Sequence, residues 1–346
     1  MSLLEIYNNI LSTPIKWKYY SRMDLSGLDC NAQFLFENED NARRFIEHYF
    51  QAGNKLSIFS STSSYGMENR WRHTLSVFLL GIALSDALGI IIAEEDEHHN
   101  KPHLYHWFLT CLYHDYGYTI EGNSRKYPPS ELSIHKLFKD KLDGKQYLRL
   151  KQDNGEFSDT IRWKYYDFCR NRRGFINHGI IGGLMLYDQL SGHLDKVLHD
   201  HGGEKEFTDA TTNLHYSISH KKDFALCADA IIAHNIWFNV SPIKELQLSG
   251  KDKHTYKNWL TALLVFCDTI EPLKAFPCCP PISVLEYVDV NVSCGSLTII
   301  GNNHMCNYTA YIEKCKSLQD WTYVASNNET NNSIELNNIR NLYPLI

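Results

Sequence analysis

The sequence contains no apolar segment long enough to cross a bilayer. Its two longest apolar runs cover residues 77–84 and 87–93 and are separated by Ser85 and Asp86. A membrane-spanning helix needs about 20 consecutive apolar residues. The opening residues also lack the basic stretch followed by an apolar run that marks a secretory signal. We therefore expect a cytoplasmic protein that makes no contact with a membrane.

Positive charge is in deficit. The chain has 34 Lys and Arg residues against 40 Asp and Glu residues, which gives a formal net charge of -6. Duplex nucleic acid carries a dense negative charge and needs a basic protein surface. The composition therefore argues against duplex nucleic acid as a partner.

Several common site motifs are missing as well. None of the ten cysteines forms a CxxC pair, and we expect reduced thiols. The sequence has no Walker A loop, no GxGxxG after a predicted strand and no GxSxG elbow. These absences argue against a P-loop enzyme, a dinucleotide-binding fold and an α/β-hydrolase.

What the sequence has instead is a series of amphipathic segments. Apolar residues at three-and-four spacing mark one face of a helix. This pattern predicts helices over residues 41–50, 71–92, 104–113, 133–142, 159–169, 178–190, 223–236 and 255–270. Two polar segments between them, residues 121–155 and 191–222, are predicted to be insertions or lids.

The pattern changes after residue 272, where four prolines interrupt the helical spacing. Val-rich residues 284–292 and residues 296–300 predict a β-hairpin, and a helix follows over residues 308–318. The Asn-rich tail from Ser326 is predicted to be poorly ordered. We therefore predict a mainly α protein with a helical domain over residues 1–275 and a small α+β appendage over residues 276–346.

Five of the predicted helices carry ionisable side chains on the face that their apolar residues mark as buried. These residues are His73, His114, Asp115, His178, His234 and Asp268. A buried carboxylate without a partner costs several kcal/mol, whereas a shared metal or metal pair would satisfy all six side chains at once. Imidazole and carboxylate ligands suit first-row transition metals, and Mg is also possible.

A structural explanation competes with this one. A single histidine on an apolar face is usually a core residue, and its chance of being a ligand is roughly one in five. The His114-Asp115 dipeptide is also weak evidence by itself. The same dipeptide recurs at His199-Asp200, in a segment that we interpret as a solvated loop. Only the ordered set on successive helices favours a metal site.

The order His, His-Asp, His, His, Asp resembles the HD superfamily of metal-dependent phosphohydrolases. The resemblance covers about residues 70–272, and Gly117 completes the HD-x-G signature of that family. The segments that carry it are RWRHTLSVFLLGIAL, LTCLYHDYGY, NHGIIGGLMLYDQL, ADAIIAHN and LLVFCDTIEP. It implies an HD-domain helical bundle.

The resemblance also implies a division of the ligands. One metal would be held by His73, His114, Asp115 and Asp268, and Asp115 would bridge to a second metal held by His178 and His234. The two cofactors would be divalent ions such as Mn, Fe, Mg, Co, Ni or Zn. The implied activity is hydrolysis of a phosphoester of a nucleotide or cyclic (di)nucleotide by a metal-activated water, with His114 and Asp115 as catalytic residues.

Substrate phosphate would need cations beside the metals, and guanidinium groups suit phosphate oxygens. The candidates for substrate binding are Arg70, Arg72, Tyr118, Arg170, Arg172, Arg173 and Asn235. The arginines are equally well explained as surface or ion-paired residues, with about even odds. Tyr118 could fill the core and Asn235 could cap a helix. The expected partner is a small phosphorylated molecule, and a homo-oligomer is compatible with the sequence.

Two positions depart from the family pattern. Many binuclear members carry Lys where this chain has Tyr118, and some carry a second His where it has Asn235. Two other functions therefore stay open. One is a di-iron oxygenase of the myo-inositol oxygenase type, which uses the same ligand order. The other is a non-catalytic nucleotide-binding HD module. Iron content and oxygen dependence would identify the oxygenase, and the complete ligand set argues against the module.

Overall fold

The computed structural model describes residues 1–20, 23–52, 70–89, 102–118, 120–121, 165–211, 214–235, 259–293, 296–301, 308–320, 325–327, 333–337 and 339. Helices dominate them. In chain order these are α1 Leu3–Leu11, α2 Ala32–Glu37, α3 Glu39–Ala52, α4 Trp71–Ala87, α5 Pro102–Tyr113, α6 Tyr166–Phe168, α7 His178–Asp200, α8 His220–Ala233, α9 Trp259–Ile270, α10 Pro281–Tyr287 and α11 Tyr308–Lys316. Short 3₁₀ turns cover Pro14–Lys16 and Ser317–Asp320.

Five helices surround the region where the predicted ligands lie. Helix α8 packs against α5, α7 and α9, and α4 packs against α3, α5 and α9. Helix α9 is buried over its whole length from Leu260 to Ile270. A helix that is apolar on every side belongs in the centre of a protein, so any polar residue on α9 must find its partner inside.

The start of α7 is set by a local cap. The side chain of Asn177 accepts a hydrogen bond from the backbone N–H of Ile180 at 3.0 Å. Such a cap satisfies one of the backbone donors that a helix start leaves without a partner. It places His178 at the first helical position, with its backbone facing the core.

Glycines bring α7 very close to its neighbours. A Cβ atom added at Gly182 would lie 2.3 Å from the carbonyl oxygen of Tyr113. Added at Gly179 or Gly183, it would lie 2.7 Å from a carbonyl oxygen of α8. Main chain therefore packs directly against main chain where α7 meets the end of α5 and the face of α8.

We expect Gly182→Ala to destabilise the fold by about 1–3 kcal/mol, because the added methyl group meets a carbonyl that cannot rotate away. Gly192→Ala is the matched control on the same helix, since nothing lies within 4 Å of its added Cβ. That control should raise stability by about 0.5–1 kcal/mol. Urea unfolding followed by circular dichroism measures both, and equal effects would contradict the close packing.

The C-terminal part forms a small antiparallel sheet. Strands β3 Val288–Ser293 and β4 Ser296–Gly301 make the predicted hairpin. Strands β5 Ala325–Asn327 and β6 Ser333–Asn337 complete the sheet in the order β3-β4-β6-β5. Helix α11 packs against α9 and β6. The fold class, mainly α with a small α+β part, is thus confirmed.

Three local predictions are wrong. Residues 191–200 are not an insertion but the second half of α7, because Leu194 and Leu198 keep the helical spacing and are buried. A two-stranded hairpin, β1 Glu206–Thr208 and β2 His215–Ser217, follows that helix. Residues 281–287 are helical, with Pro281 at the first position, where its fixed φ suits a helix.

The third error concerns the tail. Residues 326–327 and 333–337 of the tail lie in strands β5 and β6, and Ile334 and Leu336 are buried on one face of β6. The helix predicted over residues 71–92 ends at Ala87. The predictions for residues 133–142 and for most of residues 121–155 and 159–164 lie outside the described residues. The domain boundary after residue 275 stays a prediction.

Within the described part of the chain, no helix combines the length and the apolarity that crossing a membrane requires.

Candidate metal centre

Six buried ionisable side chains meet where helix ends converge. His73 lies in the first turn of α4, His178 begins α7, and Asp268 lies in the last turn of α9. The other three directly follow α5 or α8. All six side chains are buried: His73, His114, Asp115, His178, His234 and Asp268. The structure thus brings together every predicted ligand.

Their donor atoms form two groups that could each hold a metal ion. The first contains His73, His114, Asp115 and Asp268, and the second contains Asp115, His178 and His234. In each group the donor atoms lie within 4.8 Å of one another. Asp115 belongs to both groups, as the resemblance implied.

The spacing of the donor atoms suits a small ion. The Nε2 atom of His73 lies 3.0 Å from Oδ1 of Asp268. Oδ1 of Asp115 lies 3.5 Å from Nε2 of His114 and 3.5 Å from Nε2 of His178. Donor atoms that are bound to one ion at 2.0–2.2 Å lie about 3.0–3.6 Å apart.

Two of the histidines are oriented by buried glutamates. Nδ1 of His73 lies 2.7 Å from Oε2 of Glu271, and Nδ1 of His178 lies 2.6 Å from Oε2 of Glu121. A carboxylate accepts, so Nδ1–H donates and the Nε2 lone pair faces the centre. This is the usual arrangement of a metal-binding histidine.

The other two are oriented by helix ends. Nδ1 of His114 donates to the carbonyl oxygen of Cys111 at 2.6 Å, and Nδ1 of His234 donates to that of Ile231 at 2.5 Å. Carbonyls in the last turn of a helix lack partners within the helix, so a histidine just after that turn can use one. The Nε2 atoms of His73, His114 and His178 thus lie within 3.6 Å of a carboxylate oxygen of Asp115 or Asp268, and His234 lies with Asp115 in the second group.

One oxygen of Asp115 shows why a cation fits here. Oδ1 of Asp115 is buried and has no hydrogen-bond partner among the described residues. A buried charged oxygen without a partner is costly. It lies between the imidazoles of the two groups, where a divalent ion would satisfy it. The donor set and its geometry therefore fit a metal.

Two cations also border the carboxylates. The Nζ atom of Lys274 lies 3.0 Å from Oδ1 of Asp268 and 4.0 Å from Oδ1 of Asp115. An Nη atom of Arg70 lies 2.7 Å from Oδ2 of Asp115. Burial acts to raise the pKa of both aspartates, but Lys274 and the nearby imidazoles outweigh it and hold each pKa well below its usual range.

The pKa of His73 in the first group and that of His234 in the second group are shifted in opposite directions. Burial, reinforced by His178, lowers the pKa of His234 to about 3. Burial also acts to lower the pKa of His73, but Glu271 and Asp268 overcome it and raise that pKa to about 9. Without a metal, His234 is therefore neutral at physiological pH and His73 is charged.

Three predicted substrate residues contact the ligands. The ring of Tyr118 stacks on that of His178 at 3.6 Å, and the Arg70 guanidinium lies 3.5 Å above the Tyr118 ring. The amide of Asn235 lies 2.8 Å from the Nε2 atoms of both His178 and His234. Tyr118 therefore packs on a residue of the second group, and the Asn235 NH2 group donates to the two Nε2 lone pairs that a metal ion in that group would use.

The other predicted arginines lie differently. Arg72 forms an ion pair with Glu39 at 2.8 Å. Arg172 and Arg173 are exposed on a π-helical turn, Cys169–Arg173, and the side chain of Arg170 lies outside the described residues. Their roles in substrate binding stay predictions.

A cleft borders the first group. Its volume is about 680 Å³, and its polar side is lined by Glu39, Arg70, Arg72, His73 and Lys274. Leu273, Phe276, Pro277 and Pro281 contribute apolar surface to it. This volume and mixed lining are typical of a site for a small molecule.

The histidines of residues 191–222, the segment predicted to be an insertion or lid, do not line this cleft. His193 is part of α7, and His215 and His220 join it around a second cavity of about 90 Å³ with His106 and Asp223. The dipeptide His199-Asp200 is solvated as predicted, with a His199 side-chain exposure of 88%. It ends α7 instead of lying in a loop.

Sequence reasoning missed Glu121, Glu271 and Lys274. A signal existed for Glu271, which follows Asp268 by three residues and so shares its helix face. No family model, curated protein or solved structure matches this chain. The centre is therefore interpreted from its own geometry, as a buried His/Asp cluster that could bind metal.

Proposed function

We propose that this protein is a metal-dependent phosphohydrolase of the HD type that cleaves a phosphoester of a nucleotide or cyclic (di)nucleotide. The observation that carries the proposal is the common orientation of four buried imidazoles. Each has Nδ1 on an acceptor, and the Nε2 atoms of His73, His114 and His178 lie within 3.6 Å of a carboxylate oxygen of Asp115 or Asp268. Such a set supports metal binding rather than simple packing.

His73, His114, Asp115 and Asp268 would hold one ion, and Asp115, His178 and His234 would hold another. When bound, two such ions would polarise phosphoryl oxygens and acidify a water molecule. The chain itself supplies the rest. Glu271 and Glu121 fix the ligand rings, and burial of the ligand set limits the access of bulk water.

Charge favours a phosphoester over the neutral polyol that an inositol-type oxygenase would use. Among the described residues, the cluster contains four buried carboxylates, those of Asp115, Glu121, Asp268 and Glu271, and two cations, Arg70 and Lys274, which pair with Asp115 and Asp268. Two divalent ions would change this deficit of two charges into an excess of two. An anionic substrate neutralises that excess, and a polyol does not.

The test uses protein stripped with a chelator and reloaded with Mn²⁺, Mg²⁺ or Fe²⁺. We expect at least one loaded form to hydrolyse nucleoside phosphates or cyclic dinucleotides, with products separated by chromatography. The stripped form should show no activity above background, and reloading should restore it. Oxygen uptake with the iron form is measured in parallel. Iron-dependent oxygen consumption on a polyol without hydrolysis would support the oxygenase and sink the proposal.

A further inference from the structure

The loop that carries Lys274 is hydrogen-bonded to the same glutamate as the predicted ligand His73. The carboxylate of Glu271 accepts hydrogen bonds from the backbone N–H groups of Leu273 and Lys274, at 2.9 and 3.1 Å. The same carboxylate orients His73. The loop that carries Lys274 is therefore held in a fixed position relative to the first ligand group.

Arg70 and Lys274 each lie near a different oxygen of the Asp115 carboxylate. Arg70 contacts Oδ2 of Asp115 at 2.7 Å, and Lys274 lies 4.0 Å from Oδ1. Each side chain is still 29% exposed, and both line the cleft of about 680 Å³. The two cations can thus be reached from the cleft while they border the centre.

The guanidinium of Arg70 is also held in place. It lies on the ring of Tyr118, which stacks in turn on His178. A cation held against an aromatic face loses little freedom when it binds an anion. Arg72, which also lines the cleft, already pairs with Glu39, another residue of the lining.

We propose that Lys274 and Arg70 form a subsite for the non-bridging oxygens of a terminal phosphate, so that the substrate is a phosphate monoester. This inference rests on the proposed function and narrows its substrate class. A monoester offers three non-bridging oxygens and two negative charges, whereas a diester offers two oxygens and one charge. Two ions together with two side-chain cations match the monoester better. The apolar wall formed by Leu273, Phe276 and Pro281 would take the organic group.

The test measures the binding of inorganic phosphate to Mn²⁺-loaded protein by calorimetry. Lys274→Met, which keeps an unbranched apolar chain and removes the charge, should weaken phosphate binding about 10- to 100-fold. Lys274→Arg should retain most of it. Dimethyl phosphate, a diester probe, should bind the unmodified protein more weakly and should respond to Lys274→Met by less than about threefold.

Lys221→Met is the matched control, because Lys221 forms a 2.7 Å ion pair with Asp195 on a different surface. It should leave phosphate binding unchanged. Metal content and the thermal unfolding midpoint are recorded for each variant, and Lys274→Gln replaces Lys274→Met if the latter does not fold.

Unchanged phosphate affinity in a folded, metal-loaded Lys274 variant would overturn the subsite. Loss of the metals from that variant would also overturn it, by showing that Lys274 serves the ligands instead. The proposed function can fail separately. If no phosphoester is hydrolysed while phosphate binding depends on Lys274, the subsite stands and the hydrolase does not.

Discussion

Replacing Asp115 with alanine is expected to remove the metal ions from both ligand groups at once. Asp115 is the residue that the two groups share, and its Oδ1 atom lies 3.5 Å from an imidazole of each. Elemental analysis should find two ions per chain in the unmodified protein and close to none in the variant. The rate of hydrolysis should fall by more than about 100-fold, since substituting a residue that only hydrogen-bonds to a metal ligand already costs about 10–100-fold in activity or metal affinity.

Variants that touch one group should behave differently. His178→Ala should reduce the metal content by about one ion, because the first group keeps its four residues. Two ions retained in His178→Ala would contradict a binuclear centre. Asp200→Ala is the control for the dipeptide itself, since His199-Asp200 repeats it at an exposed helix end. That variant should keep both ions and full activity.

The metal-free protein is expected to lose stability in acid through His234. Its pKa is about 3 in the fold and about 6.5 in an unfolded chain. Below pH 6.5 the unfolded chain therefore binds a proton that the folded protein does not bind. The free energy of unfolding therefore decreases as the pH falls below 6.5, and by pH 5 the loss that His234 causes is about 2 kcal/mol.

Urea unfolding of chelator-treated protein at pH 7.5 and pH 5 measures this effect. His73 has a raised pKa and changes stability in the opposite direction, so the comparison must be made between variants. The stability difference between the unmodified protein and His234→Gln should move by about 2 kcal/mol in favour of the variant at pH 5. His199→Gln, at an exposed site, should show no such change. A difference that is independent of pH would argue against a buried neutral His234.

The ligand set could be predicted because helical spacing decides which side chains face inward. His73, His178 and Asp268 each share a face with apolar residues of their own helix. His114 and His234 also continue the apolar spacing of α5 and α8, and the structure places each just beyond the end of its helix, where its Nδ1 donates to a carbonyl. Local rules therefore account for these five residues, and Asp115 directly follows His114 in the chain.

The supporting residues could not be predicted in the same way. Lys274 lies in a turn after Pro272, where no periodicity gives the direction of a side chain. Arg72 pairs with Glu39, which lies 33 positions away in the chain. Sequence spacing does not show such a contact. The polar composition of residues 191–200 concealed a helix because only two leucines, Leu194 and Leu198, mark its buried face.

The glycine contacts of α7 bear on which ions the centre would accept. Since Gly179 and Gly182 let main chain meet main chain, no rotamer change can widen the gap between α7 and its neighbours. The separation of His178 from Asp115 is then governed by helix spacing. Ligand atoms bind Ca²⁺ at about 2.3–2.6 Å, which is farther than the distance of about 2.0–2.2 Å for a smaller ion such as Zn²⁺. The packed helices oppose that expansion of the site. We therefore expect Gly179 and Gly182, which do not bind the metal themselves, to help determine which ionic radii the centre accepts.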